Sequence, residues 1–207
     1  MSRVSAIVCS ILVVSALAMG GCGQGTAAKE YFMLDVAREA EPVPARSDAT
    51  VEVRRFSINT AYASRNLVYR LGEFQYEPDY YRQFMISPAM MITEVTRHWL
   101  AGAGLFKQVL PPGTPAVPTY TLQGIVTALY GDFTDKAAPT AVVRIRFFLV
   151  RHVEGTDTVL FSQAYRTAGP LPDRTGPALI EAFSKDMVEI LTGLEADLAK
   201  FLAANPN

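Results

Sequence analysis

The chain has 207 residues, 19 Lys and Arg against 20 Asp and Glu, a formal charge of −1 and 50% hydrophobic residues. With near-neutral charge and no Lys/Arg cluster it lacks the concentrated basic surface that phosphate backbones require, so no nucleic-acid partner is expected. The length suits one domain of ordinary size, large enough to bury most of its apolar surface.

Arg3 supplies a positive n-region, and Val4 to Met19 form an almost purely apolar run ending in Gly20, Gly21 and Cys22. The run is shorter than the roughly 20 residues of a permanent membrane-spanning helix, and small residues follow it in place of a charged stop. Residues 1–21 therefore read as a cleaved signal peptide. Leu17-Ala18-Met19-Gly20-Gly21-Cys22 resembles the bacterial lipobox, with Met19 standing where leucine is usual. That chemistry needs a thiol at Cys22, because the sulfur takes a diacylglycerol through a thioether. A peptidase then accommodates only small side chains at Gly20 and Gly21. Cys22 is thus the expected lipid-attachment site and the first residue of the mature chain. Cys9 leaves with the leader, so no disulfide can form within one mature subunit, and the domain must be held by its core. Removing Arg3 takes the formal charge to about −2. Gly23 follows the cysteine, whereas aspartate there commonly retains lipoproteins in the inner membrane of enteric bacteria. The expected location is the periplasmic face of the outer membrane.

Residues 22–30 read as a lipidated N-terminus and tether, and residues 31–207 as a single globular domain. Tyr31 to Leu34 suits a first strand, which Glu41-Pro42-Val43-Pro44 cannot continue, because proline offers no backbone N–H. Val51 to Phe56 alternates well enough for a second strand. Leu67 to Leu71 and Glu73 to Tyr76 flank Gly72 as a pair of short strands with a turn, and a loop carrying Pro78 and Tyr80-Tyr81 is expected next. From Ser87 the period changes: Ser87 can cap, Pro88 suits a first helical position, and Met91, Ile92, Val95, Trp99 and Gly102 share a helical face. This predicts a helix over about Pro88 to Ala101, ended by Gly102 and Gly104, then a strand over Leu105 to Leu110 and a loop from Pro111 to Pro118.

Tyr120 to Leu129, Ala141 to Val153 and Thr158 to Tyr165 are rich in β-branched and aromatic residues, and Gly155 links the last two, which predicts a three-stranded antiparallel meander. In its central run Val143, Ile145, Phe147 and Leu149 face one way, and Arg144, Arg146, Phe148 and Val150 the other. The final segment carries the clearest helical period. Asp173 or Thr175 can cap it, Pro177 starts it, and Leu179, Phe183, Met187, Ile190, Leu194, Leu198 and Phe201 form its stripe, with Glu181 and Lys185 paired on the wet face. The expected fold is α/β of the α+β type, a mainly antiparallel sheet with two main helices packed on one face.

Enzyme signatures are sparse. The mature chain has only His98 and His152, with no spacing that resembles a metal site. It lacks a nucleophile elbow, a phosphate-cradling loop and a dinucleotide fingerprint. Asp132 and Asp135 flank an expected turn, where turn formation and solvation account for them. Cys22 cannot act as a nucleophile once alkylated. Neither a catalytic residue nor a cofactor is expected.

The unusual feature is aromatic. Tyr69, Phe74, Tyr76, Tyr80, Tyr81 and Phe84 crowd into one short stretch, interleaved with Arg70, Arg82, Glu73, Glu77 and Asp79. Such side chains either anchor a protein interface, with Tyr69, Arg70, Tyr80, Tyr81, Arg82 and Phe84 as its candidates, or fill the sheet–helix core.

Leu67-Val68-Tyr69-Arg70-Leu71-Gly72, Asp79-Tyr80-Tyr81-Arg82-Gln83-Phe84, Ser87-Pro88-Ala89-Met90-Met91 and Gly104-Leu105-Phe106-Lys107-Gln108-Val109 are similar, in order and spacing, to the ABC-type transport auxiliary lipoproteins, a group that includes paraquat-inducible protein C-like proteins. The likeness covers about residues 30 to 200. Phe84-Met85-Ile86 departs from it where many relatives carry a tryptophan. The resemblance implies a non-catalytic envelope subunit of a lipid-transport system built from an ABC permease, its ATPase and a mammalian-cell-entry-type substrate-binding protein. On that reading the aromatic stretch meets either the mammalian-cell-entry-type subunit or another copy of the lipoprotein. The rival readings are a structural envelope-integrity lipoprotein and a small hydrolase.

Overall fold

The computed structural model describes residues 28–41, 46–153 and 155–205. The expected signal peptide, Cys22 and the Pro42 to Pro44 turn lie outside the described residues. Among those described, nine strands and two α-helices run in the order β1 (Glu30–Phe32), β2 (Thr50–Val53), β3 (Ser57–Ile58), β4 (Asn66–Arg70), β5 (Tyr76–Phe84), α1 (Pro88–Ala103), β6 (Gln108–Leu110), β7 (Tyr120–Asp132), β8 (Thr140–Val153), β9 (Thr156–Pro170) and α2 (Gly176–Ala204).

The expected meander forms and is longer than its sequence limits. β7 pairs antiparallel with β8 from Thr121↔Val150 to Asp132↔Thr140, and β8 with β9 from Thr140↔Pro170 to Val153↔Thr156. Gly155 turns the second hairpin at φ 81°, a left-handed conformation that a Cβ would strain. The other edge of β7 is shared end to end by three short parallel strands: β2 at Tyr120 to Leu122, β3 at Ile125 and Val126, and β4 at Gly131 and Asp132. β5 extends the sheet antiparallel to β4, and β1 and β6 lie parallel to β5 and β2 at the margins. The sheet is therefore mixed, with its longest pairings antiparallel, and the whole is an α+β fold.

Burial follows the pleat. Val143, Ile145, Phe147 and Leu149 are inaccessible to solvent, while Arg144 and Arg146 between them are exposed. Both helices cover the apolar face and touch each other. α2 contributes Leu179, Phe183, Met187, Ile190, Leu194 and Leu198, all buried, each side chain contributing about 1.5–3 kcal/mol by leaving water. Thr175 caps α2 by accepting from the Ala178 amide at 3.3 Å, and Asp173 supports that cap by accepting from the Thr175 amide and hydroxyl. α1 begins at Pro88 after Ser87, whose side chain makes no capping bond, and it ends on Gly104 in the left-handed conformation. Gly124, in the middle of β7, leaves room for the Phe56 ring: a Cβ there would stand 2.7 Å from it.

Four local expectations are corrected. Pro78 to Phe84 is strand, not loop: β1 flanks β5 only at Arg82 to Phe84, so Pro78 lies on a free edge where its missing N–H removes no ladder bond. Val51 to Phe56 breaks after Val53, where the Phe56 amide donates instead to Thr93 Oγ1 of α1 at 3.0 Å. The strand expected from Leu105 is confined to Gln108–Leu110, because Leu105 and Phe106 turn into the core. Gly102 lies within α1, and Gly104 alone ends it.

Candidate interaction site

The β4–β5 hairpin separates the six candidate interface residues into two kinds. Tyr69 is 9% exposed and Phe84 is 2% exposed, so both belong to the core and not to a contact surface. Tyr69 stacks on Phe133 with ring centroids 5.0 Å apart and donates its hydroxyl to Asp79 Oδ2 at 2.9 Å; Phe84 packs against Phe183. Burial first, and then the Asp79 carboxylate, raise the Tyr69 phenol well above its ordinary range. Arg70 and Arg82 are tied internally: Arg70 donates to Asp132 at 3.1 Å, and Arg82 reaches Glu30 at 3.2 Å and Asp79 at 3.6 Å. Asp79 also accepts from the amides of Tyr81 and Arg82, which fixes the local course of the strand.

Tyr80 and Tyr81 are different. Tyr80 is 64% exposed and Tyr81 47%, and their rings meet edge to face 5.2 Å apart. The Lys29 ammonium lies 4.3 Å from the Tyr80 ring centroid, so the segment entering β1 passes beside this pair. Phe74 stands at the hairpin turn, 88% exposed, and Tyr76 rests edge-on against Tyr130. The structure thus brings Tyr80, Tyr81, Phe74 and Tyr76 to the outside of one hairpin.

The other sequence candidates are scattered. His98 is exposed on α1, with Nδ1 against the Glu94 carbonyl, and His152 pairs with Asp157 at 2.7 Å on the last turn of the meander. Asp132 joins Arg70 and Thr134; burial opposes its ionisation, but these hydrogen bonds outweigh it and hold the carboxyl below its usual range. Asp135 accepts from the amides of Ala137 and Ala138 in an exposed turn, as its position next to Gly131 and Pro139 suggests. Among the described residues no group of three His, Cys, Asp or Glu could hold a metal ion, and no helix is long and apolar enough to cross a membrane.

Two polar features, one partly buried and one buried, had no sequence signal. Glu195 of α2 accepts from Arg38 at 3.0 and 2.9 Å and from the Trp99 indole of α1 at 2.9 Å. Donation from Arg38, opposed by burial and aided by Trp99, holds this carboxylate below its usual range. The network lines a surface cleft of about 420 Å³ together with Arg46, Leu105 and Thr192. Asp186, also on α2, is buried against Gly169 of β9. Burial pushes it up to about 6, although the Gly169 amide donates to it.

Solved structures show the same fold. A Xanthomonas campestris protein of the DUF330 family superposes with a TM-score of 0.72 at 15% identity, over 85% of this chain and 98% of that one. A hypothetical protein from Chlamydia trachomatis superposes with a TM-score of 0.52 at 8% identity, over 77% of this chain and 100% of the other. No curated protein matches the chain. The family model described as the ABC-type transport auxiliary lipoprotein component matches residues 32–192, from the last residue of β1 through β2 to β9 and α1 and into α2. That description carries a transport-associated auxiliary role and a membrane-anchored place in the cell envelope. The chain therefore belongs to the family of ABC-type transport auxiliary lipoproteins.

Proposed function

We propose that this protein is a non-catalytic subunit of a transporter that moves phospholipid or another hydrophobic molecule across the bacterial envelope. In this reading lipid on Cys22 anchors it to the periplasmic face of the outer membrane. Its partners are a mammalian-cell-entry-type substrate-binding protein, an ABC permease and the ATPase that hydrolyses the nucleotide. The chain itself carries no P-loop and no assembled acid/base or metal constellation among the described residues.

One observation carries the partner assignment: Tyr80 and Tyr81 stand exposed on a strand whose neighbours are internally satisfied. Tyrosines of this kind combine large apolar area with a polar tip, the composition of interface anchors, and the core does not need them. Tyr80→Ala and Tyr81→Ala should therefore melt like the parent and lose co-purification with the mammalian-cell-entry-type subunit, an anchor truncation costing about 2 kcal/mol or more of binding. Core aromatics behave otherwise, since Phe84→Ala costs about 3–5 kcal/mol of folding. Full retention of the partner by both tyrosine variants removes this surface from the proposal.

A further inference from the structure

We propose that the β4–β5 turn, led by Phe74, is seated in the headgroup region of the bilayer that holds the lipid anchor. The proposal rests on the reading of Cys22 as the lipid-attachment site. It concerns the turn 71–75, not the Tyr80–Tyr81 pair higher on β5.

Glu30 pairs with Arg82 in parallel register, so the chain enters β1 from the same side on which β5 begins, the side of the turn. Cys22 and Glu30 are eight positions apart, as are Phe74 and Arg82. An extended chain spans at most about 3.3–3.6 Å per residue, which gives the tether a limit of about 26–29 Å; the turn lies less than about 26 Å before Arg82, because β5 bulges between Pro78 and Gln83, whose partners Val68 and Asn66 are only two positions apart. The tether is thus long enough to bring an acylated Cys22 level with Phe74. It is also too short to let the start of β1 retreat more than about 29 Å from the headgroups.

What the turn presents at that level is interfacial in character. The Leu71 amide bonds the Gln75 carbonyl at 2.9 Å and closes the turn. Phe74 projects from it, with Leu71 and Tyr76 partly exposed beside it. An aromatic ring at a turn tip with a tyrosine at its base matches the way apolar bodies and polar tips divide at a membrane surface. The opposite end of the sheet differs in distance from the anchor. β4 meets the end of β7 at Asp132, whereas the loop before Tyr120, carrying the 90% exposed Val117, lies at its start, about 40 Å away along thirteen strand residues.

The test uses the mature acylated protein in vesicles of phosphatidylethanolamine and phosphatidylglycerol, with and without nitroxide-labelled phosphatidylcholine. Phe74→Trp and Val117→Trp each add one indole at an exposed site to the shared Trp99 background, and mass spectrometry of the N-terminal peptide reads the acylation. The expected result is an acylated Cys22 and a Phe74→Trp emission that shifts to the blue and is quenched by nitroxide lipid, with Val117→Trp unchanged. An acylated protein whose two indoles are quenched equally or not at all overturns the turn's placement and leaves the anchor reading standing. An unacylated N-terminus overturns both. Loss of the transporter subunit from Phe74→Ala, without nitroxide quenching of Phe74→Trp, makes the turn a protein contact and likewise overturns the proposal.

Discussion

Replacing Gly124 by alanine tests the packing of the sheet at its centre. A β-carbon at Gly124 would lie 2.7, 2.7 and 2.8 Å from three ring carbons of Phe56. The ring has little room to yield: it is buried, it meets Phe147 edge to face at 5.6 Å, and its own backbone amide is held by Thr93. Two effects compete. Leaving glycine in a strand interior gains about 0.5–1 kcal/mol of backbone entropy, whereas overpacking a formed core costs about 1–3 kcal/mol. Contacts this short make the second effect prevail, for a net loss of about 1–2 kcal/mol. At about 2–4 °C per kcal/mol for a chain of this size, melting should fall by about 2–8 °C. Phe56→Ala removes all three clashing atoms, Cγ, Cδ1 and Cδ2, so the double variant should be more stable than the sum of its singles by about 0.5–3 kcal/mol. Calorimetry or urea titration of all four proteins reads the cycle. A Gly124→Ala protein that melts with the parent, or strict additivity in the double variant, refutes the close approach of Phe56 to β7.

Asp186 stabilises the fold most when protonated: with its folded value raised to about 6 from an ordinary 3.8, its contribution is full below about pH 4 and is lost as pH rises through about 6. Asp186→Asn should remove that decline between pH 4 and 7, and urea midpoints with the same pH slope in both proteins would contradict it. Glu195→Ala strands the Arg38 guanidinium and the Trp99 indole and should cost about 1.5–3 kcal/mol in urea unfolding, partly recovered by Glu195→Gln; an unchanged midpoint would show the network to be ornamental. Cys22→Ala should accumulate unprocessed or soluble and take up no labelled palmitate, because acylation at the thiol precedes cleavage, and label in that variant would reject Cys22 as the attachment site.

The parts legible in the sequence are those whose burial repeats at one local period. β8 shows this in Val143, Ile145, Phe147 and Leu149, and α2 in its stripe from Leu179 to Leu198, since each has one wet face and one dry face along its whole length. β5 hid behind Pro78, because proline marks a strand's end unless the edge beside it is free, and edge position is a property of the sheet. Tyr69 and Tyr80 look alike in sequence; they differ because Tyr69 faces Phe133 across the sheet and Tyr80 faces outward past Lys29. Arg38 and Glu195 lie 157 positions apart, beyond any spacing argument. The three parallel strands along β7 are equally non-local: nothing within β2, β3 or β4 names the strand it joins.

That arrangement along β7 also bears on how the protein is made. A ribosome delivers residues 50–70 well before residues 120–132, so β2, β3 and β4 exist for a time without the edge that completes them. During that interval Val51 and Val53, buried in the finished domain, lack the β7 edge, and Leu67 and Val68 of β4 have only their hairpin partner β5 beside them. The meander of β7, β8 and β9 pairs only with its sequence neighbours across short turns, so it can assemble as soon as it emerges. β2 and β3 therefore cannot complete their pairing until β7 arrives, and those waiting strands are where a chaperone has most to protect.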